Sequence, residues 1–552
     1  MQERKLLLGD EAVALGALHA GLSGVYAYPG TPSTEITEYL QAVTGYGRET
    51  YTICGQELKG NGTIHSRWCT NEKTAMEAAL GMSYAGKRAL VCMKHVGMNV
   101  CADAFVNSAV TGVNGGLVVL AADDPSMHSS QNEQDSRFYA NFAMVPIFEP
   151  STQQEAYDMM AVAYDLSERL KTPVVMRVVT RLAHSRAAVT IGTQCAENTL
   201  NPDGGRNWVL LPAIARKQYE VLISKQEALE TASQNGGFDR MEVGTGTLGI
   251  IACGIGYNYV MEAGAEEPTV MKLSQYPIPT GMVEELAARC SRILVVEDGQ
   301  PVVETAVCGM LGRDYPILGR LTGHLPRTGE LTPDNVAVAI AYVDTPVFQN
   351  SGIPALQSPS PSPVVVGRPP ALCQGCGHRD VYTALTEVLR EYPAARVFGD
   401  IGCYTLGALP PFEALNTTVD MGASITMAKG AADAGVHPAV AVIGDSTFTH
   451  SGMTGLLDAV NDHAAITVIL SDNLTTGMTG GQDSQGTNRY EQICRALGVE
   501  DEHLHVVTPL PKNMEDIKDI MRRELEYRGV SVIIPRRECI QTFARKAKQK
   551  KS

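Results

Sequence analysis

Residues 444–482 read GDSTFTHSGMTGLLDAVNDHAAITVILSDNLTTGMTGGQ. An apolar run, AVAVI, ends in Gly444-Asp445, and a second, ITVIL, ends in Asp472-Asn473. A helix-like segment separates them. Apolar runs joined in this way fit parallel strands buried on both faces. Asp445 and Asn473 then stand where two strands emerge, the place ligands occupy in open α/β sheets. A carboxylate and an amide oxygen, with phosphate oxygens and a turn carbonyl, complete the octahedral oxygen shell of Mg²⁺. Ser446 and Thr447 open the following helix, whose N-terminal N–H groups favour an anion. Taken by residue type alone, the same Asp and Asn are also common strand-ending turn residues.

The rest of the composition sets bounds. At 552 residues the chain is long enough for three or four domains with separate cores. With 44% hydrophobic and 19% charged residues it carries no signature of disorder. A formal charge of −15, with no basic stripe interleaved with aromatics, argues against a nucleic-acid surface. No apolar run approaches the ~18 residues of a membrane span. The start, MQERKLLLGDEAVALGALHAG, lacks the apolar core of a signal peptide and reads as the first helix of a domain. Thirteen scattered cysteines, an odd number, argue against a disulfide framework and fit a reducing cytoplasm.

Strand-like and helix-like segments alternate through residues 1–185: GVYAYPG, a helix after Pro32, RALVCMKHV, GGLVVLAADDP and TPVVMRVVT. That alternation predicts a parallel sheet with helices on both faces. Residues 186–245 form a connecting segment, with NPDGGRN as a break and a polar helix through KQYEVLISKQEALETAS. A second α/β unit spans 246–350, where the GIG of Gly254–Gly256 reads as a tight turn. Residues 351–370 are rich in proline and serine, hence an extended linker. A third α/β unit occupies 371–545, and the basic residues 546–552 read as a solvated tail.

The pair of strand-end residues resembles the Mg²⁺-diphosphate motif of thiamine diphosphate enzymes, GD(G/S) followed downstream by N. TTGMTGGQ is similar to 2-oxoacid:ferredoxin oxidoreductases in particular. The resemblance implies that Gly444, Asp445, Ser446, Thr447, Asn473, Thr475, Gly477, Met478 and Thr479 hold the cofactor diphosphate. Asp445, Asn473 and the Thr475 carbonyl would be the Mg²⁺ ligands. NEKTAMEAALGMSYAGKRALVCMKHVG resembles the family's pyrimidine-side segment, which places Glu72 as the carboxyl that activates the cofactor. Burial suits that role, because desolvation favours the protonated form. By itself Glu72 reads equally as a helix N-terminal carboxylate opposing the macrodipole. Glu77, five residues on, is the competitor. YPGTPSTEI resembles the family segment whose threonine approaches substrate, here Thr31. KHVGMN is similar to indolepyruvate oxidoreductases and implies that Lys94, His95 and Asn99 meet a substrate carboxylate; a polar rim of the sheet is the plainer reading. HSSQNEQDSRFYA, with Arg137, belongs to the same resemblance and implies no role by itself.

Four cysteines of the last unit form a further group. Cys373 and Cys376 make a C-x-x-C, Cys403 follows 27 residues after Cys376, and Cys539 closes VSVIIPRREC at the end of a late strand. A C-x-x-C is open to zinc, a redox pair or an iron–sulfur site. In the related oxidoreductases the matching positions hold a proximal [4Fe–4S] cluster, and thiolates suit its iron. His378, in the same CGH, faces the diphosphate by that resemblance, although a lone histidine is more often structural. Only 13 residues follow Cys539 and none is cysteine, a departure from the ferredoxin-like tail common in the family.

The chain as a whole is thus similar to the α-subunits of indolepyruvate:ferredoxin oxidoreductases, with a pyrimidine-binding unit, a transketolase-C-like unit and a diphosphate-binding unit in that order. The resemblance implies oxidative decarboxylation of arylpyruvates to arylacetyl-coenzyme A, with electrons passed to ferredoxin or a similar acceptor. It implies a smaller β-subunit as partner and a dimer of heterodimers, with the pyrimidine and diphosphate units meeting across a symmetric dimer. A non-oxidative 2-oxoacid decarboxylase would share Glu72, Asp445 and Asn473 without iron. A non-catalytic thiamine-binding regulator is the third reading.

Overall fold

The computed structural model describes residues 3–44, 50–53, 56–59, 64–202, 208–264, 267–312, 314–343, 364, 366 and 370–549. They divide into two compact units, Met1–Ser360 and Pro361–Ser552. The expected linker at 351–370 and the break at 201–207 lie almost entirely outside the described residues.

In the first unit the apolar runs Gly24–Ala27, Ala89–Lys94, Leu117–Asp123 and Val174–Val179 are parallel strands. The sheet has seven strands. In spatial order they are Gln275–Tyr276, Ile147–Phe148, Val174–Val179, Leu117–Asp123, Ala89–Lys94, Gly24–Ala27 and His65–Trp68. Alternate residues of its strands enter different cores: Leu90, Val118 and Leu120 join one cluster, Val91, Leu117 and Val119 the other. That two-sided burial is why these strands read as unbroken apolar runs. A second, five-stranded sheet follows, with Leu248–Cys253 between Thr269–Leu273 and Arg292–Val296. Its region donates Gln275–Tyr276 back to the edge of the first sheet, antiparallel to Ile147–Phe148.

Three local readings need correction. The opening residues are not all helix. Arg4–Leu8 is a strand paired antiparallel with Arg186–Thr190, and the helix Gly9–His19 starts after it. This strand is too short to show alternation, and its partner lies far along the chain. The pairing also carries the first region beyond residue 185. The polar helix at 217–233 is two helices, Pro212–Ser224 and Gln226–Asn235, meeting at Lys225. Part of the basic tail is the end of a helix, Ile540–Gln549.

Arg137, whose role the sequence leaves open, is fully buried in an ionic network that ties the two sheets of the first unit together. It bonds Asp135 at 2.6 and 2.9 Å and meets Glu297 at 2.9 Å. It also donates to the carbonyls of Asp298 and Gln300. Arg177 joins Asp123 (2.6 Å), Glu149 and the Asp298 carbonyl (2.9 Å). Asp123, Glu149 and Arg177 come from the first sheet's region and Glu297 and Asp298 from the second's, so the charges act as a buried seam.

The second unit is an all-parallel, six-stranded sheet. Its order is Thr417–Thr418, Arg396–Gly399, Ala439–Gly444, Ile466–Ser471, Val530–Pro535 and Leu504–Val507. Alternation again splits the core: Val440, Val442 and Ile469 pack with the helices Gly377–Leu389 and Met514–Glu526. Ala441, Ile443, Val468 and Leu470 pack with Ala423–Asp433 and Met453–Asn461 on the other face.

Removing one partner of a buried ion pair leaves an uncompensated charge and costs about 3–5 kcal/mol. Arg137→Met is therefore expected to destabilise the first unit by that amount in urea unfolding. A loss under about 1 kcal/mol, the value of an exposed pair, would contradict the seam.

Candidate active site

The adjacent strands Ala439–Gly444 and Ile466–Ser471 run in register, Gly444 opposite Ser471, so both deliver their next residues to the same sheet edge. Asp445 begins a short helix that continues through a π-turn into Met453–Asn461. Its carboxylate is buried and accepts backbone N–H groups only: Ser446 at 2.8 Å and Thr475 at 3.2 Å. Asn473 Oδ1 accepts the same Thr475 amide at 3.1 Å. The two expected ligands thus converge on one turn. Burial, reinforced by the neighbouring Asp472, pushes the Asp445 carboxyl up to about 8. Asp472 itself is neutralised by Arg536 (2.5 Å). A buried carboxylate supplied with amide donors and beside a second acid fits a divalent cation, which provides the missing positive charge.

The expected diphosphate residues surround this point. Ser446 and Thr447 are buried; Thr476 Oγ1 donates to Ser446 Oγ (3.0 Å) and Thr447 Oγ1 to the Ile401 carbonyl (3.0 Å). Thr475 Oγ1 donates to the Gln482 carbonyl (2.9 Å), and Thr479 Oγ1 to Gln482 Oε1 (2.6 Å), which closes the turn that holds Gly477. Met478 is exposed on that turn. Gly444 has a use the sequence did not reveal: a Cβ there would stand 2.5 Å from the Tyr404 ring. Tyr404 in turn bonds the buried Asp400, which also accepts Ser424 Oγ at 2.6 Å. Asp400 ends a strand just as Asp445 does, and GDIGC carried that signal beside the one for Cys403.

One cavity of about 90 Å³ is lined by Cys373, Cys376, Cys403 and Cys539 together with His378, Asn473 and Gly477. Gly477 is pressed between two thiols; a Cβ there would lie 3.3 Å from Cys403 Sγ and 3.8 Å from Cys539 Sγ. Cys539 does not end a strand as expected. The strand stops at Pro535, and the chain continues beside the Asp472–Asn473 turn. Arg537 N donates to the Asp472 carbonyl and Cys539 N to the Asn473 carbonyl, both at 3.0 Å. This pairing fixes a cysteine next to the presumed metal ligand. Burial and the three other thiols push Cys403 up to about 12. His378 is buried, its Nε2 has no hydrogen-bond partner, and desolvation lowers it to about 4. Four thiols and an unpartnered imidazole nitrogen lining one cavity fit a thiolate-ligated cluster, whose binding would release the thiol protons.

In the first unit the candidates gather at the carboxyl ends of the Gly24–Ala27 and Ala89–Lys94 strands. Glu72 opens the helix Glu72–Tyr84 behind its cap Asn71 and is only 5% exposed. Its carboxyl lies against Gly97, where a Cβ would come within 2.9 Å of Oε1. Gly97, which sequence reasoning passed over, therefore creates the room Glu72 occupies. Glu77 is exposed and paired with Lys73, which separates the two candidates. Lys94 packs beneath the turn that carries Thr31, its Cβ 3.1 Å from where a Gly30 Cβ would stand. The Lys94 ammonium donates to the Ser129 carbonyl, and burial lowers it to about 8. His95 is buried beside Asn132, and desolvation lowers its pKa. Asn99 is exposed and bonded to Tyr139.

Comparison with known proteins adds the lineage. Residues 15–210 match the family model "Pyruvate flavodoxin/ferredoxin oxidoreductase, thiamine diP-bdg", and residues 400–534 match "Thiamine pyrophosphate enzyme, C-terminal TPP binding domain". The chain is 38% identical to the indolepyruvate oxidoreductase subunit IorA of Archaeoglobus fulgidus, over 98% of this chain and 88% of that one. It is 37% identical to the IorA subunit of Thermococcus kodakarensis, over 97% and 86%. A solved 2-oxoglutarate:ferredoxin oxidoreductase from Magnetococcus marinus aligns with a TM-score of 0.47 and 17% identity, over 62% of this chain and 65% of its own, too loosely to bear on the chemistry.

Anaerobically purified protein is expected to carry about four iron atoms and as many acid-labile sulfides per chain. Cys403→Ser should lose most of both. Iron-free protein holding zinc instead would assign the cysteines to another metal.

Proposed function

The chain belongs to the family of the indolepyruvate oxidoreductase IorA subunits, and we propose that it oxidatively decarboxylates 2-oxoacids, arylpyruvates such as indolepyruvate foremost, forming acyl-coenzyme A and passing electrons to ferredoxin or a similar acceptor. The observation that carries this reading is the cavity that unites four cysteines beside Asn473. A non-oxidative decarboxylase has no use for thiolates at that point, whereas an oxidation needs a one-electron path starting there. Thiamine diphosphate, when bound, supplies the nucleophilic carbon and electron sink of decarboxylation, and a [4Fe–4S] cluster supplies one-electron transfer.

The chain's own residues divide the remaining work. Asp445 and Asn473 would hold Mg²⁺, and the N–H groups of the helix that Asp445 opens would favour the diphosphate. Glu72 would be the carboxyl that activates the aminopyrimidine when the cofactor is bound; its near-complete burial keeps water from competing. The Lys94 ammonium pairs with the carboxylate of the oxo acid, and the Thr31 hydroxyl, on the turn above it, is the second contact to substrate. His95, kept neutral by desolvation, presents an imidazole to the oxo group. A smaller β-subunit and coenzyme A complete the reaction. Among the described residues no helix is long and apolar enough to cross a membrane, and the twelve described cysteines are all unpaired. Both suit the cytoplasmic location proposed for the assembled enzyme.

With the smaller subunit present, CO₂ release from indolepyruvate coupled to reduction of a viologen dye is the direct test. Glu72→Gln should lower it about 100-fold or more, the weight of a positioned proton-transfer group. Equal, negligible release before and after that substitution would favour a non-catalytic protein. A second expectation concerns pH. Lys94 is charged below about 8 and neutral above it, so anion binding weakens as pH rises through that value. Plots of kcat/KM should fall on the alkaline side, and Lys94→Arg should carry the plateau upward. An alkaline limb unmoved by that substitution would remove Lys94 from substrate binding.

A further inference from the structure

Asp10 is the second residue of the helix Gly9–His19 and has no role in the chemistry given above. It is fully buried, and neither carboxylate oxygen has a hydrogen-bond partner. Burial raises its pKa, with Glu35 and Glu11 adding to the shift. Protonation alone leaves at least one Asp10 oxygen without a donor, even where the O–H turns to Glu35. Buried polar groups without any partner are rare in folded proteins and call for an explanation, an unseen ion among them.

Two other groups point at the same spot. Glu35 comes from the first turn of the helix Thr34–Thr44, and its buried Oε2 faces only the His184 imidazole, a contact that lowers the pKa of Glu35 and raises that of His184. His184 ends the short helix Thr180–His184, with Nε2 3.6 Å from Glu35 Oε2. That separation is longer than a good hydrogen bond. It is close to the edge of a tetrahedron built on bonds of about 2.1 Å, roughly 3.4 Å. One ligand atom from each of Asp10, Glu35 and His184 falls within 4.8 Å of the others. Glu11, which also acts on Asp10, is occupied by the Leu8 amide (2.8 Å) and by Arg186 (3.5 Å).

We propose that Asp10, Glu35 and His184 form a divalent-cation site separate from the cofactor site. Two carboxylates and an imidazole suit a borderline ion of the Zn²⁺ or Mn²⁺ class over Mg²⁺ or Ca²⁺, which take oxygen ligands. The ion satisfies both orphaned Asp10 oxygens and the Glu35 oxygen together. His184 is exposed, which leaves an entry path and a face for water. The three ligands come from three helices that already pack tightly; a Cβ on Gly9 would stand 2.2 Å from the Leu182 carbonyl oxygen. A cation here fastens the start of the Thr34–Thr44 helix, and with it the turn that presents Thr31, to the body of the sheet. Its function is to hold that turn in place.

The site is tested with Mn²⁺, which thiolates bind poorly, in the absence of thiamine diphosphate so that the Asp445 site is not completed. The unbound Mn²⁺ signal in electron paramagnetic resonance reads the uptake by the chelator-treated full chain. One tightly held ion per chain is expected in the wild type and in Asp445→Asn. Asp10→Asn and His184→Gln should each weaken binding at least tenfold; the latter lies at the surface, so its folding is not at risk. No tight uptake by the wild type, or uptake that Asp10→Asn and His184→Gln both leave unchanged, overturns the proposal.

Discussion

The arrangement of the second unit turns on a carboxylate held out of water where two neighbouring strands end. Asp445 receives backbone N–H groups and sits beside Asp472. Only the latter is matched by an arginine. Such a group is costly to bury unless a cation joins it. The rest of the local structure holds this one geometry. Thr475 offers the same amide to Asp445 and Asn473, the Gln482 turn closes over it, and Tyr404 fills the space that Gly444 leaves. The pairing of 536–539 with 472–473 then places Cys539 against the turn. Asp445, Asn473 and the thiols are therefore set by the same few backbone bonds, which is the proximity the proposed electron path requires.

The first unit applies the same rule with different chemistry. A sheet covered on both faces can gather polar groups only beyond its strand ends. Thr31, Lys94, His95 and Glu72 collect there, and the buried arginine seam begins one strand away at Asp123. That seam is a stability feature with a positional consequence. Arg177 and Arg137 fix Asp123, Glu149 and the start of the second sheet's loop, so the strand ends that carry the candidates have a rigid border.

How much of this was legible depended on range. Asp445 and Asn473 were readable because each follows an apolar run directly, and a buried parallel strand prints itself as such a run. Glu72 was readable because a helix start with an Ala/Gly-rich continuation is local. The opening strand was not, since its partner lies beyond residue 185 and five residues hold too little alternation. Nor was the reason for Gly97 or Gly444, each of which makes room for a side chain distant in sequence. Cys539 lines the same cavity as the other three cysteines but does not end a strand. The bonds that place it come from a turn more than sixty residues earlier. Arg137 stood in a recognisable segment, but a role made wholly of long-range ion pairs leaves no local trace.

The claim on which the rest depends is that Asp445 and Asn473 clamp the metal of a bound thiamine diphosphate. A crystal of the protein grown with Mn²⁺ and thiamine diphosphate, measured at the manganese absorption edge, addresses it without reference to activity. The account predicts an anomalous peak in contact with Asp445 and Asn473, with diphosphate density at the start of the helix that Asp445 opens. Ordered cofactor whose manganese peak lies elsewhere, with Asp445 still bonded only to backbone amides, would contradict it.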